Sequence, residues 1–379
     1  MSWPQVNIDQ KNQLQGETKE IERAVLYIGT GKVNTGKTLA VNTQTDFDVL
    51  LGTDASAIKS CTTAAMLNAG QNWNGFVHVL AEPAKDAELD PLAWVEAVRA
   101  AQLVASVEGV VVVLPTDKAT LTAAASLRAE LLAKFGRWVW FVLAVDGPQA
   151  DEGWPEYLAR LAALQQGVAA SSVQLVPRLW GNEPGVLAGR LCNRAVTIAD
   201  SPARVATGPL LDMGSDAQPV DGKGVALDLA TLQALETLRY SVPMWYPDYD
   251  GMYWSDGRTL DVEGGDYQAI ESLRIVDKAA RRIRLQAIAK IADRSLNSTP
   301  GSIAAHKTYF SKVLREMARS TQINGITFPG EVKPPKEGDV VITWRTATKV
   351  EIYIVVRPYE CPKGITVSLM LDTALEDSQ

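Results

Sequence analysis

The residues with the clearest chemical potential form a phosphate-binding motif near the start of the chain. Residues 31–38 read Gly-Lys-Val-Asn-Thr-Gly-Lys-Thr, which satisfies GxxxxGK[ST] and follows a short predicted strand, and Leu143–Gly147 could supply a magnesium-holding acidic motif. A P-loop cradles phosphates with backbone N–H groups at the start of a helix. The residues after Thr38 are instead β-branched and turn-forming, and the next helix signal begins at Thr45. The same residues are also compatible with a turn between two short extended segments. A P-loop NTPase using Gly31–Thr38 is kept as the alternative function.

An aromatic and acidic segment, Tyr246–Gly257, is the second candidate. It could form a sugar-binding platform or a calcium loop, because Asp248 and Asp250 have the spacing of the first two calcium ligands. Met252 occupies the third ligand position and no Glu occupies the twelfth, so the calcium loop is rejected. Aromatic residues crowded with Gly and Pro favour a loop packed under or between subunits.

Five cations within eleven residues form a basic stripe on the longest predicted helix. A solvated helix face is one interpretation, and docking onto an acidic neighbour is the other, because the chain as a whole is acidic. The sequence does not decide between them. The cations are Arg274, Lys278, Arg281, Arg282 and Arg284.

Composition limits the remaining chemistry. The 379 residues carry 37 Lys+Arg and 44 Asp+Glu, a net charge of −7, which argues against broad nucleic-acid binding. His78 and His306 are the only histidines, and no nucleophile stands in a recognisable motif with a base, so we expect no catalytic residue, cofactor or metal.

Three scattered cysteines indicate reduced thiols in a protein assembled in the cytosol. No signal-peptide core and no run of 18 apolar residues is present, so neither export by a signal peptide nor a membrane span is expected.

The elements that would position these residues alternate between strands and helices. Continuous apolar, β-branched runs are separated by helical patterns, which predicts a layered α/β fold with a mostly parallel sheet buried on both faces. We assign this α/β domain to residues 21–225 and an extended, polar N-terminal arm to residues 1–20. The predicted strands are Ala24–Gly29, Phe76–Leu80, Gly109–Leu114, Trp138–Val145 and Ser172–Val176, and the predicted helices are Ser56–Gly70, one opened by Asp90-Pro91, Leu121–Phe135 and Pro155–Gln166.

The second half of the chain changes character. Residues 181–224 are rich in Gly and Pro and predict irregular structure. Residues 226–335 predict a mainly helical segment, and residues 336–379 predict a β-hairpin followed by a C-terminal strand, because apolar and polar residues alternate there. The predicted elements are helices at Asp228–Arg239, Tyr267–Leu296 and Ile303–Arg319, a hairpin from Ile342 that turns near Thr346–Thr348, and a last strand at Ile365–Leu371.

Several stretches, taken in order, resemble the tail sheath protein of contractile-tailed bacteriophages. The resemblance covers nearly the whole chain, and no single motif carries it. The chain is short, so the outward-facing insertion domains of larger sheath proteins are expected to be absent or reduced. The stretches are the opening strand with TDFDVLLG (Thr45–Gly52), ADSPARVATGPL (Ala199–Leu210), DGMYWSDGRTL (Asp250–Leu260) and DYQAIESLRIVDKAARRIRLQAIAKIADR (Asp266–Arg294).

The resemblance implies a structural subunit that stacks in helical rows around the tail tube and contracts to drive that tube through the host envelope. It implies no enzyme activity, and its implied partners are other copies of the chain, the tail tube protein, and baseplate and tail terminator proteins. It implies a place in the virion tail after assembly in the host bacterial cytoplasm. It also implies that terminal arms pair with strands of neighbouring subunits.

The residues themselves agree with arm exchange, since residues 1–20 offer too little apolar surface to fold alone and the last strand presents an edge that needs a partner. We expect the basic stripe to face inward, toward the tube or an adjacent subunit, and the α/β domain to rotate outward and repack on contraction, without nucleotide hydrolysis. The residues predicted for strand exchange are Val6, Ile8, Ile365, Val367, Leu369 and Leu371.

Overall fold

The computed structural model describes residues 21–83 and 89–370. The predicted N-terminal arm, with Val6 and Ile8, and the last predicted strand residue, Leu371, lie outside the described residues.

A six-stranded mixed sheet forms the centre of the first part of the chain. Five strands are parallel, and β2 is antiparallel to β3 at one edge. The predicted α/β fold with a mostly parallel sheet is confirmed. In the order β2-β3-β1-β4-β5-β6 the strands are β1 (Val25–Gly31), β2 (Thr38–Asn42), β3 (Asn74–Ala81), β4 (Gly109–Val112), β5 (Trp140–Asp146) and β6 (Val173–Arg178).

Helices cover both faces of this sheet, which explains why its strands are apolar without interruption. Side chains alternate between two cores: Phe141 and Leu143 of β5 face one core, and Trp140 and Val142 face the other. α3, α4, α5 and α7 line the first core, and α1, α2 and α6 line the second. These helices are α1 (Phe47–Leu51), α2 (Ala57–Ala69), α3 (Ala93–Ala101), α4 (Lys118–Phe135), α5 (Trp154–Gln165), α6 (Glu183–Cys192) and α7 (Leu229–Thr237).

Local signals set several helix ends. The Ser56 hydroxyl accepts a hydrogen bond from the Lys59 N–H at the start of α2, and Gly136 ends α4 in the left-handed conformation. The helix signal that begins at Thr45 places the N-cap of α1 one residue too early. The Asp46 carboxylate caps this helix because it accepts hydrogen bonds from the N–H groups of Asp48 and Val49.

The prediction of irregular structure after residue 181 is wrong for Glu183–Cys192, which form helix α6. All ten of its residues are buried, and its backbone lies close to α2. A Cβ added to Gly185 would lie 1.9 Å from the carbonyl oxygen of Cys61, and one added to Gly189 would lie 2.4 Å from that of Ala65. The glycines that suggested a broken chain are therefore what allows two helices to approach.

The rest of the described chain consists of two long helices and three two-stranded hairpins. α8 is shorter at both ends than the predicted helix Tyr267–Leu296. Leu235, Tyr240 and Leu260 belong to the core of the α/β sheet, so that core extends past residue 225, and the division of the chain into four parts stays a prediction. The elements are β7 (Pro243–Tyr246), β8 (Tyr249–Trp254), α8 (Ile270–Ile288), α9 (Pro300–Met317), β9 (Thr321–Ile323), β10 (Ile326–Phe328), β11 (Val340–Thr346) and β12 (Lys349–Ile354).

Candidate assembly surfaces

The GxxxxGK[ST] motif does not form a P-loop. Thr38 begins β2 and not a helix, and the Gly36 N–H donates to the Val79 carbonyl at 2.7 Å. The Thr38 hydroxyl lies 2.8 Å from Nδ1 of His78. Because the motif leads into a strand and one of its N–H groups is already bonded, the arrangement does not favour nucleotide binding.

We expect Lys37→Ala to leave both stability and assembly unchanged. The Lys37 side chain is exposed and its ammonium lies 3.5 Å from Oδ1 of Asn34, an interaction of little energetic weight. Isothermal titration with ATP and GTP should detect no binding to the parent or the variant. Saturable binding that the substitution removes would contradict this prediction and restore the NTPase alternative.

The aromatic segment is the β7–β8 hairpin and not a loop, which corrects the prediction for this stretch. Tyr246, Tyr249 and Tyr253 pack against one another with ring centroids 5.6–6.3 Å apart. Trp254 is fully buried and its Nε1–H donates to the Ser241 hydroxyl at 2.8 Å. Tyr253 and Trp254 are therefore part of the fold, whereas Tyr246 and Tyr249 remain exposed.

α8 is held along the amino edge of the sheet by three ion pairs. Arg274, Asp277 and Arg281 recur at helical spacing on one face of α8, and their partners lie outside this helix. Two partners, Glu22 and Glu108, come shortly before β1 and β4. The pairs are Arg274 with Glu108 (Nε–Oε1, 2.7 Å), Asp277 with Arg128 (Oδ1–Nη2, 2.8 Å) and Arg281 with Glu22 (Nη2–Oε1, 3.0 Å).

The pair between Arg274 and Glu108 is the most deeply buried of the three. Both side chains are almost completely inaccessible, and the guanidinium donates two parallel hydrogen bonds to the carboxylate. Burial raises the pKa of Glu108, but the charge and hydrogen bonds of Arg274 outweigh it and hold the pKa at about 2. Burial raises the pKa of Asp277 despite the opposing charge of Arg128.

The predicted basic stripe is therefore divided by the fold. Arg274 and Arg281 are buried against carboxylates of the same chain, and Lys278 bonds Glu331 at 2.5 Å. Arg282 and Arg284 are exposed and form no ion pair within the described ranges. Only these two remain available for the proposed contact with the tube or a neighbour.

The terminal β-unit consists of β11 and β12, which form a two-stranded antiparallel sheet within the described part of the chain. One face packs on α9, where Phe310 is fully buried against Val340 and Ile342. Tyr353 and Val355 are about half exposed. The predicted hairpin is thus present, and it turns between Thr346 and Lys349.

Residues 364–370, farther along the chain from this hairpin, are exposed and do not pack on their own subunit. Residues 364–370 form no strand, although Ile365–Leu371 was predicted as one. Ile365, Val367 and Leu369 are 80%, 73% and 92% exposed. Apolar side chains at alternating positions are left in water, which is the pattern of a strand whose sheet is supplied by another chain.

Lys363 fixes the start of this segment. Its ammonium lies 2.9 Å from Oε1 of Glu271 and also bonds the carboxylate of Asp256, which ties residue 363 to the first turn of α8 and to the residues after β8. Sequence reasoning missed this clamp, and it also missed the partners of α8. One signal was present for Glu108: a lone carboxylate directly precedes the apolar run of β4.

The described residues hold no group of three or more His, Cys, Asp or Glu side chains arranged to bind a metal ion. Among the helices in residues 21–83 and 89–370, none has the length and apolar character needed to cross a bilayer.

The fold places the chain in a known class. It is similar to the sheath tail protein of Desulfitobacterium hafniense, with a TM-score of 0.55 and 10% identity over 94% of this chain and 96% of that one. It is also similar to a sheath tail protein of Listeria innocua, with a TM-score of 0.53 and 9% identity over 90% of this chain and 93% of that one. The architecture is therefore that of sheath tail proteins.

Sequence comparison gives the family. Models of the DUF2586 N-terminal and C-terminal domains match residues 3–258 and 266–374. The protein named "Putative tail sheath protein" of Haemophilus phage HP1 (strain HP1c1) is 54% identical over 376 residues, 98% of each chain. The chain belongs to the DUF2586 family and to the family of phage tail sheath proteins, which confirms the resemblance found in the sequence.

Proposed function

We propose that this chain polymerises as a helical cylinder around the tail tube and contracts to drive the tube through the host envelope. The observation that carries the proposal is the terminal β-unit followed by residues 364–370, whose apolar side chains are exposed. Among residues 21–83 and 89–370, no third strand pairs with this sheet, and residues 364–370 carry a strand pattern without a sheet, so the two features are complementary.

In the assembly we place the N-terminal arm of a neighbour, around Val6–Ile8, on the terminal β-unit as the permanent connector. Each backbone hydrogen bond contributes a net ~0.5–1.5 kcal/mol, so a strand making about five bonds contributes several kcal/mol per link. Head-to-tail links that do not close into a ring give a helical row, and every added subunit repeats the link.

Contraction, in this proposal, is a rotation and repacking of the α/β domain relative to the connectors, without nucleotide hydrolysis. The buried ion pairs of α8 support this view, because they bind the helix to the α/β sheet so that both move together. The tail tube, baseplate and tail terminator proteins are the proposed partners, and the host cytoplasm is the proposed place of assembly.

Deletion of residues 1–20 should abolish cylinders and leave a folded monomer. Within the described residues, the two cores of the sheet are built from side chains at position 25 and beyond, and these should still pack once the arm is removed. Negative-stain microscopy and analytical ultracentrifugation of the purified chain measure the result, with circular dichroism to establish folding. Long cylinders formed by the truncated chain would contradict the role of the arm.

The alternation of residues 365–370 supplies a matched test at the other end. Val367→Asp with Leu369→Asp should strongly reduce cylinder formation, because charges would replace the apolar side chains that face a neighbouring sheet. Thr366→Asp with Ser368→Asp adds the same charge on the opposite face and should be tolerated far better. Equal effects of the two pairs, measured by sedimentation of assembled cylinders, would contradict strand addition.

A further inference from the structure

Two surfaces of the subunit are open and opposite in chemical character. The first is the end of α8 and the residues just after it, here called the α8 end patch. Leu285, Ile288 and Ile291 are 66%, 47% and 76% exposed, and they lie beside the two exposed arginines of the basic stripe, Arg282 and Arg284. Large apolar side chains next to free cations are unusual on a surface that contacts only water.

The second surface is a groove of about 650 Å³ that we call the carboxyl-edge groove. Two tryptophans and two methionines provide its apolar wall, and Asp212 and Asp216 provide negative charge. Neither aspartate forms an ion pair within the described residues. The lining residues used here are Trp180, Trp245, Met213, Met252, Asp212 and Asp216.

The two surfaces lie at opposite edges of the six-stranded sheet. Arg284 packs over Gly136: a Cβ added to Gly136 would lie 2.2 Å from Nε of Arg284. Gly136 comes just before β5, so the patch lies near the start of that strand. Trp180 of the groove comes just after the end of β6, which runs parallel to β5. The patch is thus at the amino edge and the groove at the carboxyl edge, so the two cannot meet within one subunit.

We propose that the α8 end patch of one subunit docks in the carboxyl-edge groove of a second copy of this chain. Arg282 and Arg284 pair with Asp212 and Asp216, where the aromatic wall also accepts a guanidinium, and the apolar residues of the patch cover the tryptophans and methionines. Because the surfaces differ and lie at opposite edges, the contact is head-to-tail and extends a row of subunits. This inference rests on the proposed polymerisation and names one of its contacts.

Charge reversal tests the contact. Arg282→Glu with Arg284→Glu should abolish cylinders in negative stain, as should Asp212→Arg with Asp216→Arg, and the four substitutions together should restore them. Arg319→Glu changes an exposed cation at the end of α9 and should have no effect. Cylinders of parent length from either reversed pair, or no recovery in the combined variant, would overturn the proposal.

Disulfide trapping tests the same contact without requiring cylinders. In a Cys361→Ser background, a Leu285→Cys chain mixed with a Ser215→Cys chain should give a cross-linked dimer under mild oxidation, since Cys61 and Cys192 are buried. Leu103→Cys is the control, because it is 84% exposed and lies outside the patch. Equal trapping by the control, or no trapping by Leu285→Cys, would overturn the contact. If parent chains form no cylinders but the specific dimer is trapped, the proposed function fails while the contact stands.

Discussion

Replacing Arg274 by alanine should lower the free energy of unfolding by about 3–5 kcal/mol, because the buried Glu108 carboxylate loses the cation that it pairs with. Glu108 is completely inaccessible, and both of its oxygens accept hydrogen bonds from this one guanidinium. Arg23 supplies a further backbone N–H at 2.7 Å, which cannot replace the lost charge. We therefore expect the variant to be poorly folded at 37 °C, since total stabilities are only about 5–15 kcal/mol.

Urea unfolding followed by circular dichroism measures the effect. Arg282→Ala on the same helix is the matched control, and its exposed side chain should change stability by about 0.5 kcal/mol or less. Replacing both partners with apolar residues, Arg274→Met with Glu108→Leu, should recover much of the loss because no uncompensated charge remains. A loss no larger than that of Arg282→Ala would show that the pair does not hold α8 on the sheet.

The same ion pair predicts that the stability of the protein depends on pH, with its contribution lost on acidification. The pKa of Glu108 is about 2 in the folded protein, below the ordinary value of a glutamate, so the folded state binds this proton less readily than the unfolded state. Its contribution is complete above pH ~4.5 and falls as the pH decreases toward about 2. The stability difference between the parent and Glu108→Gln should therefore shrink below pH ~4.5 in urea titrations. A difference that grows on acidification would contradict the ion-pair account.

Gly185→Val should destabilise the chain by about 3 kcal/mol or more, at the upper end of overpacking costs. Even a single Cβ at this position would lie 1.9 Å from the backbone oxygen of Cys61, and backbone cannot rotate away as a side chain can. α2 and α6 would have to separate along their buried contact, and cavities would open beside Val186 and Ala188.

Gly301→Ala is the control substitution for Gly185→Val, and we expect it to raise the free energy of unfolding where Gly185→Val lowers it. Gly301 lies in the first turn of α9 with nothing within 4 Å of its added Cβ, so alanine should stabilise the chain by about 0.5–1 kcal/mol. Thermal unfolding of both variants measures the two effects. A loss of less than about 1 kcal/mol for Gly185→Val would mean that the helices separate at low cost.

The sheet could be predicted because local pattern and burial agree there. Strands buried on both faces require continuous apolar residues, and β4 and β5 contain little else. Helix boundaries with a polar cap and a terminal glycine, as in α2, are specified within a few residues of chain. The alternation of residues 342–356 likewise predicted the terminal hairpin.

Features that depend on distant residues could not be predicted in this way. α6 contains two glycines and a proline within ten residues, and only the nearby backbone of α2 makes that composition helical. The sequence around the basic stripe correctly predicted a helix. It gave no indication that Arg274 and Arg281 are buried, because their ion-pair partners lie 166 and 259 residues away along the chain. The Lys363 clamp could not be predicted for the same reason, because it joins three stretches that are far apart in the chain.

The clamp at Lys363 limits how far from residue 363 the sheet edge that receives residues 364–370 can lie. Seven residues from 364 to 370 extend over at most roughly 25 Å, measured from a point fixed to Asp256 and Glu271. A receiving edge farther away than this radius could not hold Met370. In the proposed contraction, an edge that holds Met370 must therefore stay inside that radius, or the lysine must first leave its two carboxylates.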